Sequence, residues 1–266
     1  RGPRRPHRRA PLRVIGRARC PNTDTFSTVT GETGPVPSTV TVGRTIDEHG
    51  ELVPDTGIEI DTDGPIADRL ADRTGPLISN PITGEWVTTL VPAEETGGES
   101  ATGLGVFAAG NDGPPEHYHV DYEESFEVLR GEFRFEVGDE VRHATAGDEL
   151  AVSPGVPHSF RNVGDELGAT VTTTRPAGGT RDVITTLYGL AHEGKLDEDA
   201  QPGLLQGLAM TAATSDDTVF TSPPPTIAVP LARALGPVAN AFGYRATYPR
   251  YQSESFWESH VEQPSL

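Results

Sequence analysis

The chain has 266 residues, enough for one large domain or two smaller ones with a hydrophobic core. Its 39 acidic and 21 basic residues give a net charge of −18, and such a surface repels nucleic acid phosphates. The longest apolar stretch, near residues 226–244, is interrupted by Pro230, Arg233 and Pro237, so we expect no membrane span. Cys20 is the only cysteine, which excludes an intrachain disulfide and a cysteine-based metal site and favours a reducing, cytoplasmic location.

The charge is unevenly placed along the chain. Residues 1–20 contain eight arginines and no acid, and Lys195 is the only lysine. An acidic body that uses Arg in place of Lys resembles the proteins of salt-loving microbes, because dense carboxylates stay hydrated where salt screens their mutual repulsion. An ordinary acidic protein from a GC-rich genome is the alternative interpretation.

The first 64 residues lack the pattern of a folded core. The basic segment has no apolar run of the length that a signal peptide needs, since arginines interrupt it. Residues 21–64 are rich in Thr, Gly, Pro, Asp and Glu, so they cannot bury enough surface to offset the entropy of ordering. We therefore predict a basic and then acidic, disordered leader over residues 1–64.

A helix over residues 65–73 is expected next, and short strand-like segments follow it. Several alternate between apolar and polar residues with period two, as in residues 133–137. Many short strands bounded by Gly, Pro, Asp or Asn predict a sandwich or barrel, including the jelly roll. The predicted strands are 86–91, 103–109, 116–120, 125–129, 132–137, 149–152, 158–162 and 169–174.

Beyond Pro176 the apolar residues repeat with the period of a helix. We predict one helix with Thr180 as its N-cap, a second around Leu204, Leu205 and Leu208, and a third after three prolines at 223–225. The apolar faces of the first and third consist of Val183, Ile184, Leu187, Leu190 and Ala191, and of Leu231, Leu235, Val238 and Phe242.

These segments predict the domain organisation. We expect a β-barrel over residues 65–178 and a helical C-terminal extension over residues 179–266. Amphipathic helices can lie on a membrane, but the weakly basic polar faces of these helices favour packing on the barrel or at a subunit interface.

Two stretches contain residues that are capable of catalysis or metal binding. The first, GPPEHYHVDYEESFEVLRG, begins at residue 113 and contains His117 and His119, which point to the same face of a strand because they are two apart. Glu124 follows after a short turn. The second, GDELAVSPGVPHSFRN, begins at residue 147 and places His158 on another strand after turns at Pro154–Gly155 and Pro157.

With these spacings the chain resembles the cupins. The first cupin motif has a glycine, then HxH, three or four residues, Glu, six residues and Gly. His117, His119, Glu124 and Gly131 match it, whereas the preceding glycine position holds Asn111.

The second cupin motif, Gly-x5-Pro-x-Gly-x2-His-x3-Asn, is matched by Gly147, Gly155, His158 and Asn162, with Ser153 at its proline position. Both departures fall at turns, so they put the shape of two loops in doubt and leave the metal ligands in place. The motifs cover about residues 110–162, and the strand pattern extends the barrel to about residues 80–175.

The resemblance implies a mainly β fold, a single cupin double-stranded β-helix (jelly-roll barrel) with an α-helical extension. It also implies one divalent transition metal (Fe, Mn, Ni, Co, Cu or Zn) bound by His117, His119, Glu124 and His158. Three imidazoles and one carboxylate suit these metals and leave coordination positions open for a ligand. Glu123 is a competing ligand, but only Glu124 has the six-residue gap to the glycine.

The arrangement of one cupin barrel followed by helices resembles the quercetin-dioxygenase-like cupins. This resemblance implies a metal-dependent oxidoreductase that acts on a small oxygenated molecule, with Glu124 as ligand and catalytic proton acceptor. A metal-dependent isomerase or lyase and a non-catalytic ligand-binding protein are the alternatives. A homodimer is a further expectation from the resemblance.

The remaining histidines and the phenylalanines near the motifs receive no role in the site. We expect His7, His49, His143, His192 and His260 to be solvated, since they fit no motif. We expect the barrel core to contain Phe126, Phe133, Phe135 and Phe160.

Overall fold

The computed structural model describes residues 13–17 and 38–266. The predictions for residues 1–12 and 18–37, including that for His7, lie outside the described residues. No helix in the described part of the chain is long and apolar enough to cross a membrane.

Two antiparallel sheets form the barrel, and strands are numbered in chain order. Side by side, the first sheet consists of β1 (Arg13–Arg17), β11 (Asp148–Val152), β8 (Glu123–Arg130), β13 (Gly168–Arg175), β6 (Ala101–Phe107), β5 (Glu85–Val91) and β4 (Ile78–Asn80). The second consists of β10 (Glu140–Thr145), β9 (Glu132–Val137), β12 (His158–Asn162), β7 (His117–His119) and β14 (Thr218–Phe220). The fold is therefore mainly β and jelly-roll-like, as predicted, and each predicted strand is present with ends within two residues.

Aromatic side chains from both sheets fill the barrel. Phe126 of the first sheet packs against Phe135 and Phe160 of the second, with ring centroids 5.1 and 5.3 Å apart. Phe133 is fully buried in the same cluster. The prediction of a phenylalanine core is therefore confirmed.

Five helices and a 3₁₀ turn are present among the described residues. They are α1 (Pro65–Ala71), the 3₁₀ turn (Ala93–Thr96), α2 (Thr180–His192), α3 (Leu204–Thr214), α4 (Pro225–Ala241) and α5 (Glu254–His260). Helix α2 lies beside β4, and Tyr188 of α2 packs with Trp257 of α5 and Ile78 of β4. Gly179, one residue before the predicted position, is the N-cap of α2, and Thr180 makes no capping bond there.

The predicted disorder of the leader does not hold for residues 38–64. A small sheet of β2 (Thr39–Val42) and β3 (Ile58–Asp61) covers the outer face of the barrel. Its fully buried Ile58 and Ile60 alternate with exposed acids, and Gly43 accepts a 2.8 Å hydrogen bond from Trp86. The segment is ordered because these few apolar residues pack on a hydrophobic cluster that composition alone does not reveal. The division at residues 64 and 178 stays a prediction.

The apolar face predicted for α4 is present but does not pack on the barrel. Helix α4 contacts α3 through the small residues Ala232, Gly236 and Ala239, which are buried. Small residues let two helix backbones approach closely, so the large apolar residues turn outward. These exposed side chains are Ile227, Leu231, Leu235, Val238 and Phe242.

The loop before β7 depends on a glycine two residues after the cupin motif position. Gly113 has φ +65°, and a Cβ atom there would lie 1.9 Å from the carbonyl oxygen of Phe160. Asn111 is buried and accepts a hydrogen bond from the Gly113 amide at 2.8 Å. The asparagine therefore holds the turn, and Gly113 supplies the conformation.

We predict that Gly113→Ala lowers the free energy of unfolding by about 3 kcal/mol or more, because it combines a left-handed φ with a backbone clash. Gly110→Ala is the matched control, since Gly110 also has a positive φ but nothing within 4 Å of the added methyl group. The control should cost about 1–2 kcal/mol. Urea unfolding measures both, and equal losses would contradict the close approach.

Candidate metal centre

The four predicted ligands come from both sheets and meet at one end of the barrel. His117 and His158 lie opposite each other on β7 and β12 of the second sheet. His119 follows on β7, and Glu124 lies on β8 of the first sheet opposite Val152. Because residues of a strand alternate between faces, the HxH spacing turns both histidines of β7 toward Glu124.

The side chains of this group approach as the ligands of one ion would. Oxygen Oε2 of Glu124 is 3.1 Å from Nε2 of His119 and 3.0 Å from Nε2 of His158. One ligand atom from each of His117, His119, Glu124 and His158 lies within 4.8 Å of the others. Adjacent ligands about 2.1 Å from a metal are themselves about 3 Å apart, so the spacing fits a shared cation.

The site is nearly enclosed. The histidines His117, His119 and His158 are only 6%, 4% and 1% exposed, and the side chain of Glu124 is 15% exposed. Burying such a polar group without compensation is costly. The donor set of three imidazoles and a carboxylate therefore fits a divalent transition metal, which these residues can hold.

Two histidines have their outer nitrogen fixed by the backbone. Nδ1 of His117 is 2.8 Å from the carbonyl oxygen of Pro115, and Nδ1 of His158 is 3.0 Å from that of Val156. A carbonyl oxygen only accepts, so each Nδ1 carries a proton and each Nε2 faces inward. Such hydrogen bonds orient metal-binding imidazoles.

The electrostatics separate the histidines. Burial lowers the pKa of His117 to about 4, so this imidazole is neutral at physiological pH. Burial also disfavours a charge on His158, but the hydrogen bond and charge of Glu124 prevail and raise its pKa above 6.5. Burial disfavours the Glu124 carboxylate too, yet hydrogen bonds from His119 and His158 prevail and keep its pKa below 4.5.

Sequence reasoning missed the residues that surround His119. The ring of Tyr122 stacks on His119 with centroids 4.1 Å apart, and Thr218 contacts Nδ1 of His119 at 3.0 Å. Phe220 lies 5.8 Å from the His117 ring. Thr218 and Phe220 belong to β14, whose three residues are too few for a periodicity signal, and no spacing ties them to the motifs.

The remaining described histidines divide into two pairs. His49 and His143 are exposed, as predicted. His192 and His260 are half-buried, and the prediction that they are solvated is wrong. His192 is 3.1 Å from the hydroxyl of Ser79 and burial lowers its pKa to about 4, while His260 stacks on Phe256. His192 ends α2 and His260 ends α5, and their rings lie 5.7 Å apart, a contact that the pattern did not predict.

Residues 103–174 match a family model described as the cupin domain. A search of curated proteins found no match to the chain.

Several solved structures are similar to part of the chain. One is described as a predicted oxalate decarboxylase from Thermotoga maritima (22% identity, 41% of this chain and 96% of that one, TM-score 0.35). Another is an RmlC-like cupin from Shewanella frigidimarina (21% identity, 41% of this chain and 89% of that one, TM-score 0.34). A third is described as a sugar phosphate isomerase from Silicibacter pomeroyi (20% identity, 34% of this chain and 59% of that one, TM-score 0.30). These similarities select no reaction for this chain.

We predict a pH window for the Glu124–His158 pair in metal-free protein. Ionised Glu124 stabilises the fold above pH 4.5, and this is lost as the pH falls through its lowered pKa. Protonated His158 stabilises it below pH 6.5, and this is lost as the pH rises through its raised pKa. Glu124→Gln should therefore lower the free energy of unfolding most between pH 4.5 and 6.5, by about 3 kcal/mol.

Urea unfolding in a chelator, inside and above this window, measures the cost. Glu123→Gln is the matched control, because Glu123 is the adjacent carboxylate and lies outside the ligand group. A cost that does not depend on pH would contradict the ion pair.

Proposed function

We propose that this chain, whose residues 103–174 match the cupin domain, binds one divalent transition metal and acts on a small oxygenated molecule. The observation that carries the proposal is the convergence of His117, His119, Glu124 and His158 within 4.8 Å inside a buried site. A bound metal would supply a Lewis acid with open positions for a ligand.

The chain's own residues support a specific division of roles. Both His119 and His158 contact Oε2 of Glu124, which leaves Oε1 as the oxygen that would take a proton from a substrate. The low pKa of Glu124 keeps it ionised, as a metal ligand must be. Phe220 and Tyr122 beside the histidines favour a small ligand with an apolar or planar part.

We favour a dioxygenase-like oxidoreductase acting on an enediol, on the resemblance of a single cupin barrel with a helical extension. An isomerase or lyase would use the same ligands without oxygen, and a binding protein would hold its ligand unchanged. These classes differ in what they consume, so one set of measurements separates them.

We also propose that the protein works in a cytoplasm of high ionic strength. The net charge of −18, the single lysine and the single cysteine support this setting.

A homodimer through α4 is our proposal for the oligomeric state. Four residues of α4 and Phe242, which follows it, are spaced alternately three and four apart, the pattern of a helix–helix seam. Arg233 is the only charged residue of the helix in a chain of net charge −18, so two copies can approach at this face without repulsion. The same charge disfavours an anionic membrane as the partner. The seam consists of Ala228, Leu231, Leu235, Val238 and Phe242.

We predict that Leu235→Glu converts a dimer into a monomer of 28.3 kDa, because it places a charge at the centre of the seam. Val141→Glu is the control, since Val141 is equally aliphatic and 51% exposed on β10. Analytical ultracentrifugation measures both. A monomeric wild type, or a dimer that persists in Leu235→Glu, would refute the assignment, and wild-type binding to lipid vesicles would favour a membrane partner.

We predict that metal content follows the four ligands. Wild-type protein purified in high salt should carry about one divalent metal per chain, and His119→Ala and Glu124→Gln should lose most of it because each removes a donor. His143→Ala and Glu123→Gln should retain it. Elemental analysis measures the content, and equal metal in His119→Ala and wild type would refute the site.

The metal-loaded protein then tests the reaction class. Oxygen uptake with an enediol, measured with an oxygen electrode, would support the dioxygenase proposal, whereas no uptake with any metal would contradict it. Anaerobic turnover would indicate an isomerase or lyase. A ligand that raises the melting temperature without conversion would indicate a binding protein.

A further inference from the structure

The strand β14 joins the C-terminal extension directly to the candidate metal centre. It pairs antiparallel with β7, so that Thr218 lies opposite His119 and Phe220 lies opposite His117. The backbone amide of Val120 also donates to the carbonyl oxygen of Asp217 at 2.8 Å. The extension therefore supplies the edge strand beside both histidines of the HxH pair.

His119 differs from the other two histidines in what its outer nitrogen meets. His117 and His158 face backbone carbonyl oxygens, which only accept hydrogen bonds. Nδ1 of His119 faces the hydroxyl of Thr218 at 3.0 Å, and a hydroxyl can either donate or accept. The contact alone therefore leaves the tautomer of His119 undetermined.

Asp217 resolves this ambiguity because a hydroxyl has one proton. Oγ1 of Thr218 is 2.7 Å from Oδ1 of Asp217, and an ionised carboxylate only accepts. Thr218 must donate its proton to Asp217, so its oxygen is left to accept from Nδ1 of His119. Nδ1 of His119 therefore carries a proton whether or not Nε2 does, so Nε2, which lies 3.1 Å from Glu124, is the nitrogen whose proton a metal can replace.

The carboxylate is itself held in place. Oδ2 of Asp217 accepts a 2.8 Å hydrogen bond from the amide of Gly179, the N-cap of α2. The hydroxyl of Tyr122, whose ring stacks on His119, is 3.1 Å from Thr218 and 2.6 Å from Thr180. Helix α2 and the ring of Tyr122 thus fix the carboxylate and the imidazole in relation to each other.

We propose that Asp217, acting through Thr218, is a positioning residue that holds His119 in the tautomer able to bind a metal. This inference rests on the proposed metal binding. It gives the C-terminal extension a functional role, since the extension does for His119 what backbone carbonyls do for His117 and His158. Asp217 and Thr218 need no contact with a substrate for this role.

The first test is Zn²⁺ affinity, measured on full-length protein by chelator competition. Thr218→Val keeps the shape of the side chain but removes the acceptor, and it should weaken Zn²⁺ binding about 10–100-fold, as other outer hydrogen bonds of metal ligands do. Thr218→Ser restores the hydroxyl and should bind as wild type does. Thr88→Val is the control, because Thr88 is a buried, hydrogen-bonded threonine on β5.

The second test separates positioning from packing through a double-mutant cycle. If Asp217 acts through Thr218, the single variant Asp217→Ala should bind Zn²⁺ more weakly than wild type. The same substitution should cause no further loss of Zn²⁺ affinity in the Thr218→Val background. Additive losses, or Thr218→Val with wild-type affinity, would overturn the inference. Unfolding of the metal-free variants shows that they fold.

A third measurement reads the tautomer without metal. Imidazole ¹⁵N shifts of metal-free protein at alkaline pH should show His119 protonated on Nδ1 in wild type and a mixture of tautomers in Asp217→Ala. A wild type that binds no Zn²⁺ refutes the proposed function, whereas these shifts still decide the role of Asp217. The same tautomer in both proteins would overturn that role.

Discussion

The contact of one carboxylate with imidazoles from the opposite sheet is the constraint on which the rest of the site depends. Glu124 stands on the seven-stranded sheet, and its Oε2 meets His119 and His158 of the five-stranded sheet within 3.1 Å. Four polar side chains in a nearly closed site would be unfavourable without mutual compensation. The two sheets must therefore stay in one relative position, and the phenylalanine cluster, which contains residues of both sheets, helps to maintain it.

Much of this arrangement could be predicted from the sequence because it is encoded locally. The HxH spacing turns His117 and His119 to one face of a strand, and Gly155 lies in the turn before the strand that His158 begins. Period-two alternation likewise identifies strands with one buried face. β10 escaped prediction because nearly all of its residues are exposed and no alternation marks it.

The parts that escaped prediction depend on contacts between distant segments. Thr218 contacts His119 although the two residues are 99 positions apart in the chain. Neither segment has a sequence pattern that predicts the pairing of β14 with β7. In the sequence Ile58 and Ile60 are isolated apolar residues. In the structure they belong to the same buried cluster as Leu77 and Trp86. The helical period of α4 was correct, yet which face packs depended on whether a partner offered room for small or large residues.

The position of β14 near the end of the chain has a consequence for how the protein is made. Residues 117–158 leave the ribosome well before Thr218, and the roughly 60 residues between take about 3–12 s to synthesise at about 5–20 residues per second. During that interval the edge of β7 with which β14 pairs has no partner from that strand. The candidate metal ligands of β7 therefore lack their neighbouring strand until the last third of the chain supplies it.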